Sequence, residues 1–590
     1  MDPTDPWGTL GVHVVAAKGA RGARVGGTKK KTLLPRISPC AGCGPRVAAV
    51  PRFPPWMPAL FRRPSLLRDA RRRLCSVTSS RYPRATDVIR RDHVESSRAE
   101  STRSDVVAIG DRLVLNSAEV EEAVEDPAAT FAKVARDASP RGYRGFGSFH
   151  SENVEEMIEA ACHPSWTAPE VPPAVAAAFS CHATPVSCGA PMRQAAFLLS
   201  SEWTFLNHGA FGSPCRAAYD AAAAWRLHAE CQPLAFIDRF LFAHIIESQR
   251  QLAAVVGAAP RDLALLPNAT SALNVAISAA CDAANVREGD EILLLDVGYG
   301  SVSKMTAREC KRRGARMVTV PLLLDLPSSA NPEVVLRKVK EAIGTRTKVA
   351  IFDHVTSNTA MQLPVFELAA ACRARGVVSV VDGAHSLGCT RALDVQAVGA
   401  DYFCGNLHKW LCNVRGSGFL VLRPNDSKLR SATEPLIASH GHGGGFTSDF
   451  IWQGASDYSP WLAVPSCLEW WRSVGGIDHA VERNHELLVG ACELLAAEWQ
   501  TKPLLPSGSS LSMALMELPL PTRDARGSLR VYTSSDAKRI QDSLFQRKIE
   551  CPIKTVNGRL YARISAAVYN ELDEYERLAH AVQVITRETQ

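Results

Sequence analysis

PEVVLRKVKEAIG (332–344), VAIFD (349–353), FELAAACRAR (366–375) and VVSVVD (377–382) follow one another with short connections. This run decides the fold. Asn331 is a helix cap, Pro332 suits the first turn, and Gly344 is a stop signal. Val335, Leu336, Val339 and Ile343 fall on one helical face. VAIFD and VVSVVD are short apolar runs, too short for helices and apolar on both faces. EILLLD (291–296) upstream and DYFCG (401–405) downstream are similar runs. Strands alternating with helices predict an α/β fold with a mostly parallel sheet of about seven strands and helices on both faces. In such sheets ligands bind at the carboxyl ends of the strands.

Polar residues crowd those ends. VVSVVD closes on Asp382, Gly383, Ala384 and His385, and VAIFD runs through Asp353 into Thr356, Ser357 and Asn358. DYFCG runs into Asn406, Leu407, His408, Lys409 and Trp410. Upstream, Pro267-Asn268-Ala269-Thr270-Ser271 lies between the apolar LALL and a helix in ALNVAI. Free N–H groups and a hydroxyl at such a helix start suit a phosphate. Each residue also has a plainer role: Asp382 and Asn268 as caps, His408 as a buried histidine, Lys409 as a surface lysine. Together, an anion site, an acid at one strand end and a lysine at the next fit one cofactor that carries a phosphate, a basic ring nitrogen and an aldehyde. That cofactor is pyridoxal 5′-phosphate.

With these residues in place, the segment 190–590 resembles the class V aminotransferase superfamily of fold-type I pyridoxal-phosphate enzymes. It is most similar to the isopenicillin N epimerase-like and L-cysteine desulfhydrase-like group. FLNHGAFGSP (205–214), LPNATSALN (266–274), DHVTSNTAMQLPV (353–365), VVDGAHSLG (380–388), GNLHKWLCNVRGSGFL (405–420), FIWQGASDYSPWLAVPS (450–466) and ARISAAVYN (562–570) carry the resemblance in order. It implies that Lys409 bonds the cofactor's aldehyde and then moves protons. It implies that Asp382 pairs with the ring nitrogen and that His385 and Asn358 lie near the ring hydroxyl. Tyr299 would stack on the ring, and Ala269, Thr270 and His408 would hold the phosphate. Arg563 would clamp the substrate α-carboxylate, with Asn207 and His208 on the substrate side. It also implies a homodimer. One departure stands out: the group often shows Trp-x-Gly-Thr-x-Asp, whose Thr hydroxyl reaches the neighbouring subunit's phosphate. Here the run is Trp452-Gln453-Gly454-Ala455-Ser456-Asp457, so that hydroxyl is missing unless Ser456 replaces it.

Several reactions share this cofactor. β-Elimination on a small amino acid such as cysteine is the first reading; epimerisation or transamination is the alternative, and a non-catalytic scaffold is a third. Desulfuration through a persulfide needs a mobile cysteine, and Cys551, twelve positions before Arg563, reads as core instead. Cys404 and Cys412, which flank Lys409, read as packing.

The rest of the chain frames this body. Of its 590 residues 46% are apolar and 22% charged, which is ordinary globular composition. Seventeen cysteines over this length read as reduced thiols rather than a disulfide scaffold. No apolar run is long enough to span a membrane, so the expected partner is a small amino acid, with neither a membrane nor nucleic acid and no metal site. Residues 1–100 hold 20 basic and 7 acidic residues, whereas the remainder holds 47 and 53. The Arg-rich, acid-poor stretch from Met57 looks like an organellar transit peptide, for mitochondrion or plastid; a solvated basic tail on a cytoplasmic protein is the alternative. The Cys40/Cys43 pair has no second pair at zinc spacing and reads as chance. The expected organisation is a basic segment at 1–105, an extension without assigned role at 106–189, including a helical pattern at 120–134, a large cofactor-binding domain at 190–475 and a small C-terminal α/β domain at 476–590.

Overall fold

The computed structural model describes residues 108–109, 112–113, 154–180, 186–506, 511–523 and 526–589. The basic segment, its Cys40/Cys43 pair and the helical pattern at 120–134 lie outside them.

After a short antiparallel pair, Ala108–Ile109 with Arg112–Leu113, strand β1 (Thr204–Phe205) is followed by β2 (Leu263–Leu266), β3 (Glu291–Leu295), β4 (Arg316–Val320), β5 (Thr347–Asp353), β6 (Val378–Gly383), β7 (Tyr402–Asn406) and β8 (Gly418–Leu422). The last seven form one sheet in the order β2-β8-β7-β6-β5-β3-β4. All neighbours are parallel except β8, which runs against both β2 and β7. Helices cover both faces, which is why the strands are apolar throughout. Val349 and Ile351 of β5 enter the core on one side, and Ala350 and Phe352 the core on the other.

The helix after Asn331 spans Pro332–Ala342, with the Asn331 side chain accepting from Glu333 N–H. It ends two residues before Gly344. The helix at the anion-site candidate starts at Ala269, three residues earlier than ALNVAI suggests, because Asn268 caps it through Ser271 N–H.

A second, antiparallel sheet is built from β9 (Met513–Glu517), β11 (Ile553–Val556) and β12 (Arg559–Ser565), in the order β9-β12-β11. The short β10 (Ile549–Glu550) pairs with β1. Leu206 therefore sits in the same core as Leu488, Leu544, Ile564 and Leu578. In the N-terminal extension, Val154, Ile158 and Ala161 of the helix Val154–Ala161 join the main core, and Glu155 Oε1 accepts from Ser448 N–H at 2.7 Å. No described helix is long and apolar enough to cross a membrane.

Candidate active site

Strands β5 and β6 are parallel and in register, so Asp353 and Asp382 are direct cross-strand partners at their ends. β7 ends alongside them at Asn406, and the helix Ala269–Ala283 starts nearby, since Ala269 N–H donates to Asn406 Oδ1 at 2.8 Å. These ends enclose a cavity of about 310 Å³. Ala269, Thr270, Tyr299, Asp353, Ser357 and Asp382 line it, together with His385, His408, Lys409 and Arg415.

The turn after β7 delivers Lys409. Its amine lies 3.1 Å from His385 Nε2. On the other side of the imidazole, Trp410 Nε1–H donates to Nδ1 at 3.2 Å. An indole N–H can only donate, so Nδ1 accepts. Burial, reinforced by Lys409 and Arg563, holds His385 well below the usual imidazole range. The neutral ring then carries its proton on Nε2, facing the Lys409 amine, which disfavours the ammonium form there. Burial also lowers Lys409 to about 8, against the opposing pull of Asp382.

Behind Lys409 stands His208. Its Nδ1 pairs with the Tyr569 hydroxyl at 2.7 Å and its Nε2 with the Lys409 carbonyl at 3.0 Å. Both nitrogens are thus engaged by protein, and His208 supports the lysine backbone from outside the cavity. Gly212 packs its backbone against the His408 carbonyl at φ +63, where a Cβ would collide. That explains a glycine in FLNHGAFG.

Asp382 is 3% exposed and accepts from Ala384 N–H at 2.9 Å. Asp353 is 5% exposed and accepts only a long bond, 3.4 Å, from Tyr299 N–H. Burial raises both carboxyls, and Asp382 adds like-charge repulsion at Asp353. The role of Asp353 as second acid was not read from the sequence; its signal was that VAIFD and VVSVVD end in the same residue.

Arg563, on β12, is 5% exposed. One guanidinium nitrogen donates to the Ser357 carbonyl at 2.6 Å, and the other to Asn207 Oδ1 at 3.0 Å. Asn207 is anchored in turn by donating to Glu550 Oε1 at 3.0 Å. No carboxylate pairs with Arg563 among the described residues, and burial lowers it to about 10. Asn358 departs from expectation. It is exposed on the turn and outside the cavity lining, where the neighbouring Ser357 takes its place. Cys551 is buried and pushed up to about 12, consistent with a core thiol. Cys404 and Cys412 are buried packing residues too.

These residues fit pyridoxal phosphate. The helix starting at Ala269 offers its positive end to a phosphate, and the Thr270 hydroxyl bonds no protein group. The Ala269 N–H is given to Asn406 Oδ1, and Ala269 lines the cavity. Arg415, which the sequence did not single out, adds a cation to the lining. His408 Nδ1–H donates a long bond, 3.3 Å, to the Ser417 carbonyl, and burial lowers the imidazole to about 4.

The family model "Aminotransferase class-V" matches residues 240–448. An Arabidopsis thaliana protein named "Probable L-cysteine desulfhydrase, chloroplastic" is 31% identical over 407 residues, covering 65% of this chain and 83% of that one. The isopenicillin N epimerase of Streptomyces clavuligerus is 31% identical over 398 residues, covering 65% of this chain and 95% of the epimerase. Among solved structures, the cystine C-S lyase C-DES in complex with its product cysteine persulfide shares the fold. Its TM-score is 0.54 at 19% identity, covering 65% of this chain and 97% of that one.

Proposed function

The chain belongs to the class V aminotransferase family of pyridoxal-phosphate enzymes, and from that premise we propose that it catalyses β-elimination on a small amino acid such as cysteine. With cysteine the balance is cysteine plus water to pyruvate, ammonia and hydrogen sulfide. Bound pyridoxal phosphate supplies an aldehyde for amine groups and a ring that accepts the electron pair left at Cα.

The chain's own residues do the rest. Arg563 holds the α-carboxylate with its planar fork, and Asn207 keeps that fork in place. The Lys409 amine takes the Cα proton, and His385 Nε2–H fixes its lone pair beforehand. Asp382 would supply the negative charge that keeps the ring nitrogen protonated. Thr270 and the helix start would hold the phosphate, with His408 and Arg415 in the same lining, and Tyr299 would cover the ring. The observation that carries this reading is the convergence of a buried, hydrogen-bonded Lys409 of lowered proton affinity and two buried acids on one cavity, with an Arg563 that no described carboxylate pairs bonded to its wall.

The core position of Cys551 argues against a persulfide mechanism. Epimerisation needs a second proton donor across the substrate. His385, whose one N–H is directed at the Lys409 amine, is not free to be that donor, which favours elimination. The test is the absorption spectrum of the purified protein, with and without Lys409→Ala, followed by an amino-acid panel assayed for pyruvate and sulfide. Visible absorption lost in the variant, with both products from cysteine, supports the reading. A substrate-dependent spectral change without pyruvate would favour the epimerase or aminotransferase alternative.

The working unit is a homodimer in this proposal. Phe211 at the cavity is 70% exposed, and Leu227, Leu234 and Phe240 are exposed as well. Ala455, Ser456 and Asp457 line a separate surface cleft beside Trp225 and Phe236, away from the Lys409 cavity. The division into a large domain at 190–475 and a small one at 476–590 is part of the same proposal. So is organellar delivery through the basic N-terminal segment, to which the relative named chloroplastic lends weight.

A further inference from the structure

Lys554 lies on β11 opposite Tyr561 of β12, two residues from Arg563. Residues opposite one another in an antiparallel ladder, and residues two apart on a strand, project from the same face. Lys554, Tyr561 and Arg563 therefore share a face of the small sheet. Tyr561, Met513, Leu515 and Val556 of that sheet pack with Val355, Ala360 and Trp410. Val355 is a cavity-lining residue and Trp410 is bonded to His385. The face is thus turned toward the Lys409 site.

Lys554 is half-buried and has no hydrogen bond or ion pair among the described residues. Burial, and then Arg563, lowers Lys554 to about 8. Two cations on one face, both partly withdrawn from water and neither ion-paired among the described residues, repel one another; Glu517, which shares the face, pairs with Arg559. A ligand bearing two negative charges would relieve both. Diagonal neighbours on a sheet lie roughly 7–8 Å apart, a separation that a short dianion bridges.

We propose that Lys554 and Arg563 form a two-cation site, and that beside cysteine the protein takes α-amino acids whose side chain carries a second anionic group, a carboxylate, sulfinate or sulfonate. Arg563 takes the α-carboxylate and Lys554 the side-chain anion. The inference rests on the reading that Arg563 holds the α-carboxylate, and it deepens the proposed function by naming a substrate class. It does not depend on which bond at the β-carbon breaks.

The test uses the holoenzyme and two probes that lack an amino group, glutarate and butyrate, titrated by calorimetry. Glutarate is expected to bind roughly tenfold more tightly than butyrate, the worth of one added charge-assisted contact. In Lys554→Met, with Lys554→Gln as a second variant, that ratio falls to about one with butyrate affinity retained, and Lys554→Arg restores it. Equal affinities in the unmodified protein, or a preference that persists in Lys554→Met and Lys554→Gln, would overturn the two-cation site. Product assays separate the two readings. Pyruvate from cysteine without any glutarate preference removes the two-cation site alone. A Lys554-dependent preference without pyruvate from any substrate removes the elimination reading and leaves the site standing.

Discussion

The amine of Lys409 and Nε2 of His385 lie 3.1 Å apart, and the Trp410 indole N–H on the far side of the ring fixes which of them carries the proton. The donor-only indole forces Nδ1 to accept, so the neutral imidazole carries its hydrogen on Nε2, toward the lysine. Two effects thus act in one direction: burial lowers Lys409 to about 8, and the N–H facing the amine disfavours its ammonium form.

Capture of pyridoxal phosphate by the cofactor-free protein is expected to depend on pH accordingly. Only the uncharged amine attacks an aldehyde. Because Lys409 is lowered from the ordinary lysine value, the uncharged fraction rises as pH increases through about 8. Stopped-flow absorbance across pH should show the capture rate climbing toward a plateau just above that value. A climb centred near the ordinary lysine value would refute the depressed amine.

Trp410→Phe removes the proton that fixes His385 while keeping an aromatic ring in the core. His385 can then adopt either tautomer, and its Nε2 is no longer committed to donating. Cofactor content is expected to stay near stoichiometric while kcat falls about tenfold, the worth of one positioning hydrogen bond. Unchanged kcat would show that the tautomer is not set by Trp410.

Asp382→Asn and Asp353→Asn should differ in kind. Losing the Asp382 charge removes a charge-assisted contact worth about 1.5–3 kcal/mol, so kcat should fall roughly 10- to 150-fold. Asp353→Asn instead removes the carboxyl that burial and the Asp382 charge push upward. With that raised group gone, the acid limb of the pH profile should move to lower pH with only a modest change in maximal rate. Equal losses in both variants would contradict this division.

Arg563→Lys keeps a positive charge but loses the planar fork and its bond to Asn207. KM for the amino acid is expected to rise about tenfold or more, with cofactor absorption intact. An unchanged KM would place the α-carboxylate elsewhere.

Cys551→Ala tests the absence of a persulfide step. The thiol is buried in the core of the small sheet. Sulfide release from cysteine should persist at a comparable rate, with a stability loss of about 1–2 kcal/mol seen as a lower melting temperature. Loss of sulfide release at full cofactor occupancy would restore the persulfide route.

Much of the sheet was legible because a strand covered on both faces is apolar throughout. VAIFD and VVSVVD could be read as such strands, and their polar ends marked the site. Lys409, Asp382 and His385 lie where the motifs put them, at the cavity. Asn358 was misread by one position. A turn sends successive side chains in different directions, and sequence spacing does not say which one faces inward, so Ser357 took the wall and Asn358 the solvent. His208 was expected on the substrate side. Its true partners, Tyr569 and the Lys409 carbonyl, come from segments hundreds of residues apart.

The sequence by itself determined the α/β class, the strand-end location of the site and the cofactor chemistry, because local periodicity and residue type act over a few positions. Only the tertiary structure decided which groups meet: the in-register Asp353–Asp382 pair, the Trp410–His385–Lys409 relay of hydrogen bonds, and the placing of Lys554 on the Arg563 face. Those depend on strand order and register, which are set by long-range packing of two cores.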